Sequence, residues 1–281
     1  MSVFDEGLTD SQIMMREVCR KFVDNTIEPF IRLNWQDEWK MTPDNRLPAN
    51  ILEEADKIGI RTLAVPEKFG GTPLEKEHEV RTFAIISEEI ARGDSGLADK
   101  LVQNWKVSVL LRELASEEHQ KKWFNKLMST PGFLFAHALT EPKGASDRWL
   151  GYNAPEAAMD TKAVKTSGGW VINGRKHYIS NGYDAGLYVV YANTSPEKGM
   201  MQGTSSFIVP RGTEGFNIAR CNETVGCRFM NNGELEFVDC FVPDDQLLAE
   251  GDSLSKAGIY FRPGKIIQAS KNLGVGQAAL D

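Results

Sequence analysis

No uncharged apolar run in this 281-residue chain approaches the ~20 residues that a bilayer crossing needs, so no membrane span is expected. The opening Met1-Ser-Val-Phe-Asp-Glu lacks both the basic start and the apolar core of a signal peptide, and the chain therefore reads as cytoplasmic. An excess of positive charge is missing too. With 32 Lys and Arg against 39 Asp and Glu, the net charge of −7 argues against a nucleic-acid surface, while leaving room for a local basic patch on a phosphorylated ligand. Cysteine is scarce. Cys19, Cys221, Cys227 and Cys240 show neither a CxxC pair nor a His-Cys ligand spacing, so free thiols in a reducing compartment are expected, with no metal and no disulfide. Internal repeats and low-complexity segments are absent as well.

What is present is the composition of an ordinary soluble protein, 41% hydrophobic and 25% charged, in a chain long enough for two domains or for one large domain and part of another. Residues from about Leu8 to Ala115 carry helical periods. Thr9 is placed to cap a helix whose face is Ile13, Met14, Val18, Phe22 and Val23, and Pro29 is expected to lie outside any helix. A loop at Pro43 to Pro48 precedes a helix over Ala49 to Ile58, with Ile51, Leu52 and Ala55 inward and Gly59 as its stop. Further helices are predicted over Glu79 to Arg92, Leu97 to Leu114 and Glu117 to Met128. Within the first of these, Glu88 and Glu89 read as a solvated face or a helix-helix ion pair.

Near Pro131 the period changes. Short strands are predicted over 133–139, 161–165, 169–172, 175–179, 187–192, 205–209, 216–219 and 233–242, spaced as in an antiparallel sandwich or barrel. Beyond Pro243 the helical period returns through Ile266, Ile267, Ala269, Leu273 and Val275, an apolar face that expects a partner. The fold class is thus α+β: a helical domain over 1–130, a β-domain over 131–249, and the start of a second helical domain over 250–281.

Two stretches organise the β-domain. Phe135-Ala-His-Ala-Leu-Thr-Glu-Pro-Lys-Gly-Ala-Ser-Asp147 sets Thr140 and Ser146 on a turned backbone, and Gly169-Trp-Val-Ile-Asn-Gly-Arg-Lys-His-Tyr-Ile-Ser-Asn-Gly182 alternates around an Asn-Gly pair like a hairpin. With helices first and these stretches second, the sequence resembles the acyl-CoA dehydrogenase family over nearly its whole length. Ala64-Val-Pro-Glu-Lys-Phe-Gly-Gly71 is similar to the family's Val-Pro-Glu-x-x-Gly-Gly turn, and Ser87-Glu-Glu-Ile-Ala-Arg92 to its helix end. Leu139-Thr-Glu-Pro142 with Ser146-Asp147 matches its flavin loop, and Ile172 to Gly182 its Asn-Gly-x-Lys-x-Trp-Ile-Thr-Asn segment. Glu223-Thr-Val-Gly-Cys-Arg228 and Val238-Asp-Cys-Phe-Val-Pro243 resemble its closing strands. Each motif alone is weak; the ordered set is specific.

The resemblance implies FAD on the β-domain and an acyl-CoA thioester between flavin and helices. A glutamate of the family removes the α-proton, the β-hydride passes to flavin N5, and electrons leave through an electron-transfer flavoprotein. It implies a cofactor site at His137, Ala138, Leu139, Thr140, Ala145, Ser146, Tyr178, Ile179 and Ser180. Thr140 and Ser180 serve there as donors to the ring, Ser146 and its neighbouring amides as the pyrophosphate cradle, and Tyr178 and His137 as aromatic planes. Ser146, Arg262 and Lys265 are the implied substrate contacts. His119 and His177 read as surface or satisfied side chains.

The sequence departs from the family in three places. Ala145 stands where glycine is usual, which costs about 1 kcal/mol if the backbone there needs positive φ. The connection Arg148 to Asp160 is longer than the family's, and so could shape a site for an unusual acyl group. Gly264 occupies the position, just before the basic Lys265, where some members carry the catalytic glutamate, so the catalytic residue is unassigned. The family's C-terminal four-helix bundle would begin at the last predicted helix. The resemblance implies a homo-oligomer or hetero-oligomer, and three expectations stand side by side: a piece of a full dehydrogenase, a subunit of a hetero-oligomeric enzyme whose second polypeptide supplies the bundle and base, or a flavin- or acyl-CoA-binding module without dehydrogenase activity. A flavin monooxygenase or oxidase on the same fold is a further alternative.

Overall fold

The computed structural model describes residues 6–46, 48–144, 156 and 158–281. Helix α1 (Asp10–Phe22) starts on a reciprocal cap: the Thr9 hydroxyl accepts from Gln12 N at 3.2 Å, and Gln12 Oε1 accepts from Thr9 N at 3.1 Å. Contrary to expectation, Pro29 does not end the helical run. A π-helical turn (Val23–Ile27) leads directly into α2 (Glu28–Asn34), and Pro29 is the second residue of α2. In the turn, Glu28 N reaches back five residues to Val23 O, so the ladder has already widened where proline withholds its N–H. Helix α3 (Ala49–Lys57) buries Ile51, Leu52 and Ala55 and stops before Gly59 at φ +74°.

Helices α4 (Glu79–Gly93), α5 (Ser95–Leu114) and α6 (Glu117–Ser129) complete the first part. Glu89 forms the anticipated interhelical ion pair, accepting from Arg20 of α1 at 2.5 and 3.1 Å. The α5 N-cap is Asp94, whose carboxylate accepts from Leu97 N at 2.7 Å. Burial pushes this carboxyl up to about 6 against the opposing pull of that N–H. Because the folded state then holds a proton that the unfolded chain gives up near pH 4, stability falls as pH rises from about 4 to 6. Asp94→Asn keeps the capping oxygen without the charge. It is expected to raise stability at pH 7 by on the order of 1–2 kcal/mol relative to its effect at pH 4. Thermal unfolding of both proteins at the two pH values checks this; an equal change at both removes the titration from the account.

The described strands form one eight-stranded sheet: β1 (Phe135–Ala138), β2 (Lys162–Thr166), β3 (Gly169–Ile179), β4 (Leu187–Asn193), β5 (Thr204–Pro210), β6 (Phe216–Cys221), β7 (Gly233–Pro243) and β8 (Leu247–Ala249). The order is β6-β7-β3-β2-β4-β5-β8, with β1 also on β4, and a short helix α7 (Gly199–Gly203) lies between β4 and β5. Most ladders are antiparallel, as expected, but β1 and β2 run parallel to β4, so the sheet is mixed. Alternation along β1 sends Ala136 and Ala138 to one packed cluster and Phe135 to the other.

The expected hairpin at Asn173-Gly174 is not formed. Strand β3 runs straight through it, and the pair is a bulge against β7, where the register shifts between Ile172 and Gly174. Gly174 has φ +147°, and a Cβ there would meet Thr161 Cα at 2.6 Å, so the glycine serves a close approach rather than a turn. The turn itself is Ser167-Gly168, between Thr166 and its partner Gly169.

One buried pair and one amide fix α5 on the sheet, and a second buried pair ties β3 to the segment after β1. Lys100 of α5 meets Asp184 at 2.5 Å, Lys176 of β3 meets Glu141 at 2.8 Å, and Asn181 Nδ2 donates to both Lys100 O and Phe135 O. After β8, a short helix α8 (Ser253–Lys256) leads into α9 (Gly258–Ala278), which packs on α4. Gly274 allows the contact, since a Cβ there would sit 2.1 Å from Glu88 O. The expected apolar face of α9 divides: Ile267 is buried in this packing, while Ile266 and Leu273 are exposed. Among the described residues, no helix is long and apolar enough to cross a membrane. The four cysteines are free thiols, Cys19 and Cys240 buried, Cys221 and Cys227 half-buried.

Candidate functional site: a sheet edge opening on a helical cavity

The two organising stretches meet. Thr140 follows β1, and its carbonyl accepts from His177 N of β3 at 2.9 Å. One residue on, β3 bulges again between Lys176 and Ile179, and Tyr178 sits at φ +55°, an uncommon conformation for a bulky side chain. The bulge turns the ring outward. Tyr178 is 58% exposed and lies parallel to the His177 ring at 4.0 Å, so it presents an aromatic plane beside Thr140. Ile179, Ala138 and Leu139 are buried beneath and position this edge through their backbone.

The edge is held by Glu141. Its carboxylate accepts from Asp160 N at 2.7 Å, Thr161 N at 2.9 Å and the Lys176 ammonium at 2.8 Å. Burial works to raise this carboxyl, but the Lys176 charge and the Thr161 hydrogen bond more than offset it and hold it below the usual range. His137 is not at the edge. It is buried, with its ring 4.8 Å from Tyr191 and 5.3 Å edge-on to Phe261 of α9, one layer behind the site. Ala145 and Ser146, and with them 147–155 and 157 of the long connection, lie outside the described residues. His177 Nε2 pairs with Asn222 Oδ1 at 3.0 Å, and His119 Nε2 with Asp245 O at 2.8 Å, while His119 Nδ1 is buried without a hydrogen-bond partner.

Ser180, the residue after the edge, lines a cavity of about 840 Å³ that also takes in Arg262, Gly264 and Lys265. It is larger than the clefts beside α1, of about 480 and 610 Å³. Two helix faces form most of its wall, with Met201, Leu254 and Ser255 also lining it. Helix α5 contributes Asp99, Val102, Gln103 and Lys106, and α9 contributes Gly264, Lys265, Gln268 and Lys271, the spacing of one stripe on each. The helices run in opposite directions along it. At one end the Lys106 ammonium stands 4.9 Å over the Phe261 ring and 5.9 Å over Tyr260, and at the other Lys271 is bonded to Asp99. Burial holds the Lys271 ammonium down at about 8. Gly264 is backed by Tyr260, whose Cε1 would be 3.0 Å from a Cβ, so a longer side chain needs that ring to give way.

The sequence reading named Ser180, Arg262 and Lys265, which the cavity brings together, and missed Asp99, Lys106 and Lys271. Helix α5 is buried on nearly every side, so its polar stripe leaves no periodic signature, and Lys271 looks like an ordinary surface lysine.

The residues fit a flavin by the chemistry they offer: two short hydroxyls, Thr140 and Ser180, and an outward aromatic ring, Tyr178, on strands joined by the Thr140–His177 backbone bond and a buried ion pair. Comparison with known proteins bears on the family and the fold. The profile of the acyl-CoA dehydrogenase N-terminal domain matches residues 9–131, and that of the acyl-CoA dehydrogenase middle domain matches 136–240. An acyl-CoA dehydrogenase of Bacillus subtilis (strain 168) is 30% identical over 275 residues, 98% of this chain and 67% of its own length. Among solved structures, an acyl-CoA dehydrogenase from Geobacillus kaustophilus is similar with a TM-score of 0.82 and 27% identity, over 97% of this chain and 67% of that one. A chain from a study of the electron transferring flavoprotein of Acidaminococcus fermentans gives 0.83 and 26%, over 98% and 68%. The chain spans between 59% and 67% of the length of the first curated relatives it matches.

Proposed function

This chain belongs to the acyl-CoA dehydrogenase family, and from that premise we propose that it binds FAD and acts in the α,β-dehydrogenation of an acyl-CoA thioester, with an electron-transfer flavoprotein as the electron acceptor. One observation carries the reading: Ser180 ends the sheet edge that bears Thr140 and Tyr178, and also lines the α5/α9 cavity, so a flavin and a thioester would share that hydroxyl. FAD, when bound, supplies the acceptor for the hydride that leaves the β-carbon. The chain's own groups bind and orient. Thr140 and Ser180 would donate to the ring edge where charge gathers on reduction, and Tyr178 would offer its face. Arg262 and Lys265, exposed at the rim of the cavity, hold phosphates of the CoA.

Gly264 offers no base, and the one carboxylate that lines the cavity among the described residues, Asp99, is bonded to Lys271. The proposal therefore assigns to this cavity binding and orientation of the thioester. The test is a pair of titrations. FAD is expected to be quenched on binding, and Tyr178→Ala to weaken it about tenfold, the loss of one stacked ring. Arg262→Glu with Lys265→Glu is expected to weaken a CoA thioester by about tenfold or more while FAD binding stays unchanged. A protein that ignores FAD, or a charge reversal without effect on the thioester, removes the assignment.

A further inference from the structure

The cavity is chemically asymmetric. Its Lys106 end carries three cations, Lys106, Arg262 and Lys265, the latter two exposed. Its other end holds Lys271, only 3% exposed, bonded to Asp99. Seven residues of α5 separate Lys106 from Asp99, roughly 10 Å at 1.5 Å per residue, and between them lie Val102, Gln103 and Gln268. A plain alkyl slot has no use for an ion pair at its end, because placing two charges there is costly and an apolar occupant strips their water without replacing it.

We infer that this end of the cavity selects an acyl group that terminates in a neutral hydrogen-bonding group, a hydroxyl or carboxamide, received by Lys271 and Asp99 together. The inference rests on the thioester reading above and names the substrate class of the same site. The cation-rich rim suits the phosphates of the carrier, which directs the acyl group toward the opposite end. There the pair is neutral overall. A second carboxylate gains from Lys271 what it loses to Asp99 beside it and brings its own desolvation cost. A hydroxyl accepts from the ammonium and donates to the carboxylate, so each group stripped of water finds a partner.

The experiment is calorimetric titration of the FAD-loaded protein with hexanoyl-, ω-hydroxyhexanoyl- and adipyl-CoA, and with the four-carbon set of the same end groups. The hydroxyacyl thioester is expected to bind about tenfold more tightly than its alkyl and dicarboxylic counterparts in at least one set. Single substitutions would strand a buried charge, so the variant is Lys271→Met with Asp99→Leu, in which hydroxyacyl and alkyl thioesters are expected to bind within about twofold of each other. Equal affinities in the unaltered protein, or a preference for the alkyl or dicarboxylic form, overturn the inference and leave the thioester reading standing. A hydroxyacyl preference that survives in the double variant overturns it as well. If no CoA thioester binds, both fall.

Discussion

Lys176→Met is expected to destabilise the protein by about 3–5 kcal/mol, the cost of leaving a buried carboxylate without its countercharge. Lys176 is fully buried in the middle of β3, and Glu141, nearly as buried, uses its two oxygens to gather Lys176 with the amides of Asp160 and Thr161. The substitution thus also unlatches the turn that presents Thr140. The pH dependence separates this cause from a packing defect. In the unaltered protein Glu141 is held below the usual carboxylate range, so its contribution is complete above the unfolded value and is lost as pH falls through the lower folded one. In the variant, burial is opposed by the Asp160 and Thr161 hydrogen bonds but no longer by the Lys176 charge, so the carboxyl rises, acid protonates it more readily and the penalty is relieved. The gap between the two proteins, measured by urea unfolding, is expected to narrow toward pH 4. A gap that stays constant with pH contradicts the assignment. Adding Glu141→Gln to the variant removes the stranded charge and is expected to recover part of the loss.

The second large effect is expected at the joint that holds α9. Gly274→Ala places a methyl 2.1 Å from the backbone oxygen of Glu88, a contact that no rotamer change relieves, so α9 must lift from α4. The expected cost is about 2–3 kcal/mol, at the upper end for overpacking. A control lies two residues away. Gly276 is in the same helix with nothing within 4 Å of the position of its Cβ, and Gly276→Ala is expected to stabilise by about 0.5–1 kcal/mol through helix propensity. Thermal melts of the two variants should therefore move in opposite directions. Because α9 carries Arg262, Lys265 and Lys271 along the cavity, Gly274→Ala is also expected to weaken thioester binding, and Gly276→Ala is not.

How much of this was legible in the sequence depends on where the signal came from. Helix ends written in side-chain chemistry were: the Thr9 cap, Gly59 as a stop, and the inward Ile51, Leu52 and Ala55 all stand where the pattern put them. The Asn173-Gly174 pair misled because Asn-Gly marks a backbone that needs positive φ, and both a hairpin turn and a bulge have that need. Only the packing of Thr161 against Gly174 distinguishes them, and that contact is not local. Pro29 misled for a related reason. Its missing N–H is a local fact, but the π turn that absorbs it comes from five preceding residues with no marked sequence signal.

The candidate site divides in the same way. Thr140, Tyr178 and Ser180 lie in short ordered motifs, and the fold brings them to one edge through the Thr140 to His177 hydrogen bond. His137 belongs to the same motif yet points into the layer behind, toward Tyr191 and Phe261, because β1 alternates and its neighbour Ala138 takes the other face. The ion pair of Asp99 and Lys271 joins positions 172 residues apart. No local pattern encodes such a contact, since each residue alone reads as a solvated charge on a helix.

The measurement that bears most directly on the account is an anaerobic visible spectrum of the FAD-loaded protein during titration with acyl-CoA thioesters, repeated on the Arg262→Glu and Lys265→Glu protein. If the sheet edge and the α5/α9 cavity meet at Ser180, thioester binding must perturb the flavin absorption band in the unaltered protein, at concentrations that rise about tenfold in the charge-reversed one. A thioester that binds while the flavin band stays unmoved would place the two ligands apart and contradict the shared site.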